Sequence, residues 1–238
     1  MASRKEEKEA RRAERLAAEN AEKAKHARQQ RLLIGGGVLG VIAALAVIVV
    51  LVAGGSSGDS DSAGGTETPD TSVPIPARQI ADLEEAAKAA GCDFKTFPSE
   101  GREHFADDNG VNKNYKTNPP TSGEHRPTPA EEGVFAPGNE PAKENWVHNL
   151  EHGRIQYQYA PGTPQKRIDQ LETLYAEPFK GVAGYHQMVF QNNTKMPYAV
   201  AGVAWTHYVG CEEFTDETFD VLRAFRERFV DKGPELIP

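Results

Sequence analysis

Residues 153–176, GRIQYQYAPGTPQKRIDQLETLYA, hold both periodicities of a mixed fold in one short stretch. Ile155, Tyr157 and Tyr159 alternate with Arg154, Gln156 and Gln158, the two-residue repeat of a half-buried strand. Pro161-Gly162 supplies a turn. Residues 163–176 then follow the helical repeat, with Ile168, Leu171 and Tyr175 on one face.

The same reading extends in both directions. Upstream, 78–90 has the pattern of a helix ended by Gly91, and 94–141 is broken by prolines into loops. Downstream, 185–191 and 199–207 read as strands, expected to form a hairpin around Asn192-Asn193. Thr215 is expected to cap a last helix whose inner face is Phe219, Leu222, Phe225 and Phe229. The order predicts an α+β fold: a single domain over 77–238 with one mainly antiparallel sheet and flanking helices. All 10 Phe, both Trp and all 7 Tyr fall after residue 90, so the core belongs there.

The first third of the chain is of another kind. From 32 to 53 run 22 residues without a charge, against the roughly 20 that cross a bilayer as a helix. Residues 1–31 carry ten Lys/Arg and six Glu, and basic residues beside a span stay in the cytoplasm. The expectation is a charged cytoplasmic segment over 1–31, helical by its charge spacing, and a transmembrane helix over 32–53. A flexible Gly/Ser/Thr/Pro linker over 54–76 and an extracytoplasmic domain over 77–238 complete it. The chain is thus read as integral to the cell membrane with a single pass. The 17 Lys/Arg and 29 Asp/Glu beyond residue 31 make the outer part acidic, which argues against a nucleic-acid partner and leaves a protein partner unidentified.

The only cysteines, Cys92 and Cys211, both lie beyond the span, where an oxidising space would let them bond. Histidines supply the candidate chemistry. His148 and His152 stand four residues apart, so one helical face would present both to a metal ion. His125, in a loop stiffened by Pro119, Pro120 and Pro127, is a third candidate ligand, and Met196 a soft fourth. Histidine with thioether favours copper; histidine with carboxylate favours zinc, the alternative. Glu151 would orient a ligand or line the entrance. His104, His186 and His207 are left outside the set as ordinary hydrogen-bonding residues.

His148 to His152 also spells the H-x-x-E-H of inverted zinc proteases. Gly153 and a strand follow at once, leaving room for only a short helix, and the domain is small for that class. No elbow motif surrounds Ser122 beside His125. The reading is therefore of a binding protein more than an enzyme, or else of an envelope accessory module whose histidines are structural.

Several blocks are similar to a known family. Asn114-Tyr115, the run NPPTSG at 118–123 followed by His125, VHNLEHG at 147–153, Met196-Pro197 and Ala204-Trp205 resemble the bacterial domain-of-unknown-function family 3105. The resemblance spans 94–229 and implies an anchored extracytoplasmic domain, with His125, His148, His152 and Met196 inside its characteristic motifs. The family name implies no activity.

Overall fold

The computed structural model describes residues 66–235 and residue 237. The predicted cytoplasmic segment and the span at 32–53 lie outside the described residues. Among those described, no helix is long and apolar enough to cross a membrane.

Strand β3 (Ile155–Tyr159) is the centre of a six-stranded mixed sheet. The others are β1 (Cys92–Thr96), β2 (Gly133–Val134), β4 (Gln187–Gln191), β5 (Val200–Ala204) and β6 (His207–Cys211), in the order β1-β6-β5-β3-β4-β2. The helices are α1 (Leu83–Ala89), α2 (Lys143–Glu151), α3 (Gln165–Ala176) and α4 (Thr218–Phe229). From β1 through β6 and β5 to β3 the pairings are antiparallel; β3–β4 and β4–β2 are parallel. The β3–α3–β4 stretch is the crossover that parallel neighbours require.

Three local expectations are corrected. β3 is buried on both faces, not half-buried. Its Tyr side faces the helices, while Gln156 donates to the Trp146 carbonyl (2.6 Å) and Gln158 to Gln156 Oε1 (2.8 Å), so the polar face is satisfied without water. The hairpin around Asn192-Asn193 does not form, because both edges of β4 are occupied by β3 and β2. The chain instead crosses the end of β3, Asn192 N–H bonding the Tyr159 carbonyl, and β5 pairs on the far side. The predicted strand 199–207 is broken at Trp205-Thr206, where Thr206 takes a φ of 61° and β5 turns tightly into β6. That turn is held from outside: Thr206 N–H donates to the Thr121 carbonyl and its own carbonyl accepts from Phe97 N–H. His207 therefore opens β6, its ring 4.3 Å from that of Phe229.

The helix ends differ in a similar way. α1 begins at Leu83, capped by Asp82, whose side chain accepts from Glu85 N–H, and Gly91 at φ 66° follows its end. Thr215 does not cap α4. Its N–H donates to Thr218 Oγ1, and Glu217 at the cap position makes no side-chain bond to the helix. The four predicted inner residues of α4 do face the sheet: Phe219, Leu222 and Phe225 are fully buried, and Phe229 is packed at the margin.

One face of the sheet is covered by α1, α3 and α4, whose Leu83, Leu171, Leu174, Phe219, Leu222 and Phe225 meet Ile155, Tyr157, Val189, Val200 and Val209. Full burial of such a side chain contributes roughly 1.5–3 kcal/mol. The other face is covered by α2 and the loops before it, with Trp146, Val147 and Leu150 against Met188, Phe190, Val203 and Trp205. Cys92 and Cys211, opposite each other in the β1–β6 register, form a disulfide with a Cα–Cα distance of 4.3 Å. It joins residues 119 apart, a closure worth about 4–5 kcal/mol in the chain-entropy account. Residues 67–76, read from sequence as part of the linker, run along the domain. Glu67 N–H bonds the Val134 carbonyl, and the Val73 and Pro74 carbonyls accept from Thr173 and Gln170 of α3.

Candidate metal centre

Helix α2 follows Pro141 and stops where Gly153 takes a φ of 77°. Its nine residues, with His152 at the C-cap, are enough to place His148, Glu151 and His152 at one end of the sheet. The His148 and His152 Nε2 atoms lie 2.9 Å apart, as the i, i+4 spacing allows.

The loop face brings the remaining groups. Residues 101–105 lie beside 123–125: Gly123 N–H bonds the Gly101 carbonyl, His125 N–H the Glu103 carbonyl, and Phe105 N–H the His125 carbonyl. The Ser122 hydroxyl oxygen also accepts from Glu100 N–H. This pairing sets His104 beside His125, and both against α2. Ring centroids are 4.6 Å apart for His104–His125, 4.8 Å for His104–His148 and 5.0 Å for His125–His148. One ring nitrogen from each of the three lies within 4.8 Å of the others.

Glu151 completes the cluster. Its Oε2 is 3.2 Å from His104 Nε2 and 3.1 Å from His125 Nε2, and Arg102 Nε stands 4.0 Å from Oε1. His125, His148, Glu151 and His152 are buried, whereas the His104 side chain is 38% exposed and forms the open side.

Backbone carbonyls set the tautomers. His125 Nδ1 is 2.7 Å from the Gly123 carbonyl and His148 Nδ1 is 2.7 Å from that of Arg126. A carbonyl only accepts, so each Nδ1 carries its proton and, in the neutral ring, each Nε2 presents a lone pair to the cluster. Burial lowers the His148 pKa, against the pull of the Arg126 carbonyl. Burial, then the neighbouring His148 and Arg154, lowers that of His152 to about 4. Both rings are neutral at pH 7, the form that binds a metal.

The C-terminal segment closes the helix end. Asp231 N–H bonds the Gly153 carbonyl, Glu235 N–H bonds the Glu151 carbonyl, and Glu235 Oε2 is 3.6 Å from His152 Nε2. A Cβ on Gly233 would sit 2.1 Å from the Glu151 carbonyl oxygen, so only glycine permits this approach.

Of the residues predicted from sequence, His125, His148 and His152 come together. Met196 lies in the apolar cluster that also holds Trp146 and Phe190, its N–H donating to Asn192 Oδ1. His104 belongs to the cluster, although the sequence pattern sets it apart. It has no partner at helical spacing, and only the pairing of 101–105 with 123–125 brings it in.

These features define a mixed α/β domain with a buried imidazole–carboxylate cluster at one end of its sheet. The chain belongs to the family described as protein of unknown function (DUF3105), whose model matches residues 106–236. No curated protein and no solved structure matches the chain.

Proposed function

We propose that this chain is a membrane-tethered, extracytoplasmic metal-binding protein whose ion is held by His104, His125 and His148 with Glu151. The observation that carries the reading is the pair of carbonyl-fixed rings. Nδ1–H of His125 and of His148 is committed to a backbone oxygen, which leaves both Nε2 lone pairs to the cluster, that of His125 beside the buried Glu151 carboxylate and that of His148 beside His152. An outer hydrogen bond on the far nitrogen is the usual support of a metal-ligating histidine. A lone pair facing Glu151 Oε2 at 3.1 Å also calls for a cation or a proton between them.

Three imidazoles and a carboxylate suit zinc and copper(II) alike. Copper is the ion expected from sequence on the thioether of Met196, which lies in the apolar cluster outside this set. The span at 32–53 supports an anchor, and the disulfide fits an oxidising space outside the cytoplasm.

The test is metal analysis of the full-length chain after chelator treatment, followed by titration with zinc and with copper(II). One equivalent is expected, lost in His125→Ala and His148→Ala and weakened about 10–100-fold in Glu151→Gln. Weaker copper but unchanged zinc in Met196→Leu would establish the soft ligand. If neither ion binds, the histidines are structural. The domain is then an interaction module, a reading favoured by the two hydrogen-bond distances from His104 and His125 to Glu151.

A further inference from the structure

The opposite end of α2 borders a different kind of site. Between the 112–120 loop, the start of α2 and the 193–195 turn lies a cavity of about 380 Å³. Lys113, Lys143 and Lys195 line it from these three separate segments, together with Tyr115, Asn118 and Asn193. In a region carrying 17 Lys/Arg against 29 Asp/Glu, three ammonium groups around one cavity reverse the local sign. Lys143 Nζ lies 3.4 Å from the buried Glu144 carboxylate, which also accepts from Asn112 N–H. Among the described residues, no carboxylate lies within 4.0 Å of the Lys113 or Lys195 ammonium. Glu100 and Glu124 act on Tyr115 of the same wall from farther off, so Lys113 and Lys195 face the cavity without a carboxylate in contact.

The walls are built rather than incidental. Asn118 Nδ2 donates to the Thr194 carbonyl (3.1 Å) and the Lys195 carbonyl (3.0 Å), and Asn118 Oδ1 accepts from the Thr194 hydroxyl (2.7 Å). Asn193 Nδ2 donates to the Pro141 carbonyl (2.9 Å), and its Oδ1 accepts from Trp146 Nε1 at 3.3 Å. The amides are therefore spent on holding the three segments together, and the ammonium groups are what remains to meet a ligand. Lys195 is kept at a φ of 57°, a conformation lysine seldom adopts, by the two carbonyl bonds from Asn118. At the cavity wall α2 starts at Lys143, and Ala142 at its cap position makes no side-chain bond. The positive end of the helix adds to the field.

From this arrangement we infer that the cavity binds a small, multiply charged oxyanion, a phosphate-bearing or polycarboxylate ligand, through Lys113, Lys143 and Lys195. The volume lies at the low end of the roughly 300–1,000 Å³ of small-molecule sites. Ammonium groups from three directions match an anion with charge on several oxygens better than a single carboxylate.

The test titrates chelator-treated full-length chain with pyrophosphate and, separately, with citrate, by calorimetry and by amide NMR shifts of 193–195. At least one anion is expected to saturate, more weakly as salt is raised. In Lys113→Ala/Lys195→Ala the affinity should fall by about tenfold or more, with an unchanged melting temperature. The exposed pair Lys88→Ala/Lys166→Ala serves as control and should bind as wild type. Saturation by pyrophosphate alone identifies a phosphate ligand, and by citrate alone a polycarboxylate. Absence of saturation by both, or an equal loss in the two double variants, overturns the proposal. Neither readout depends on a metal at the histidine cluster.

Discussion

The two faces of the sheet are roofed in opposite ways. On one, α1, α3 and α4 press Leu and Phe side chains onto Ile155, Tyr157 and Val209. On the other lie one helix and the loops of 97–142, and beneath them Gln156, Gln158, His125, His148 and Glu151 are all buried. Apolar contacts are tolerant of small shifts, whereas a buried polar group needs its partner at a set distance and angle. The helical face is therefore the store of stability. The loop face spends part of that stability on holding charged and polar groups out of water.

This contrast can be broken in three ways, of decreasing size. Phe225→Ala on the helical face should destabilise the domain by about 3–5 kcal/mol in urea unfolding, with metal affinity unchanged in the fraction still folded. A much smaller loss would mean that the helices are not the main store.

Asn149→Ala acts on the other face. The Asn149 side chain bonds both Ala130 N–H and the Ala130 carbonyl, pinning the loop to α2. The expected cost is about 1–3 kcal/mol, with hydrogen-exchange protection lost at Ala130 and kept in the sheet. Loss of protection in β3 as well would show that the two faces unfold as one.

The smallest effect is with pH. In the folded chain His152 takes up a proton only near pH 4, and in the unfolded chain near 6.5. Between these values the unfolded state binds more protons, so metal-free protein should lose stability as pH falls from 6.5 toward 4 and level off below. The difference in melting temperature between wild type and His152→Gln isolates this contribution from the carboxylates. The same slope in both would remove His152 as its source.

The helical face is legible in the sequence. The β3–α3 passage and the inner face of α4 follow from periodicity, because regular elements repeat their contacts along the chain. The loop face was legible only in part. His148 and His152, one turn apart at the end of one helix and its cap, announce each other, but His104 reaches them through backbone pairing across some twenty residues of irregular chain. The turn at Trp205-Thr206 has no glycine or asparagine to signal it and is imposed by the Thr121 carbonyl and Phe97 N–H. β2 is two residues long and exists because the edge of β4 is there to receive it. Asn192-Asn193 has the chemistry of a hairpin turn, yet sheet order is decided by which strand edges are free.

The fit of Gly233 and Glu235 against the end of α2 has a practical consequence. A mutagenesis screen for lost metal binding should score at Gly233, although glycine offers an ion no donor atom. Any side chain there meets the Glu151 carbonyl, and the displacement passes along the same turn to the Glu151 carboxylate and His152.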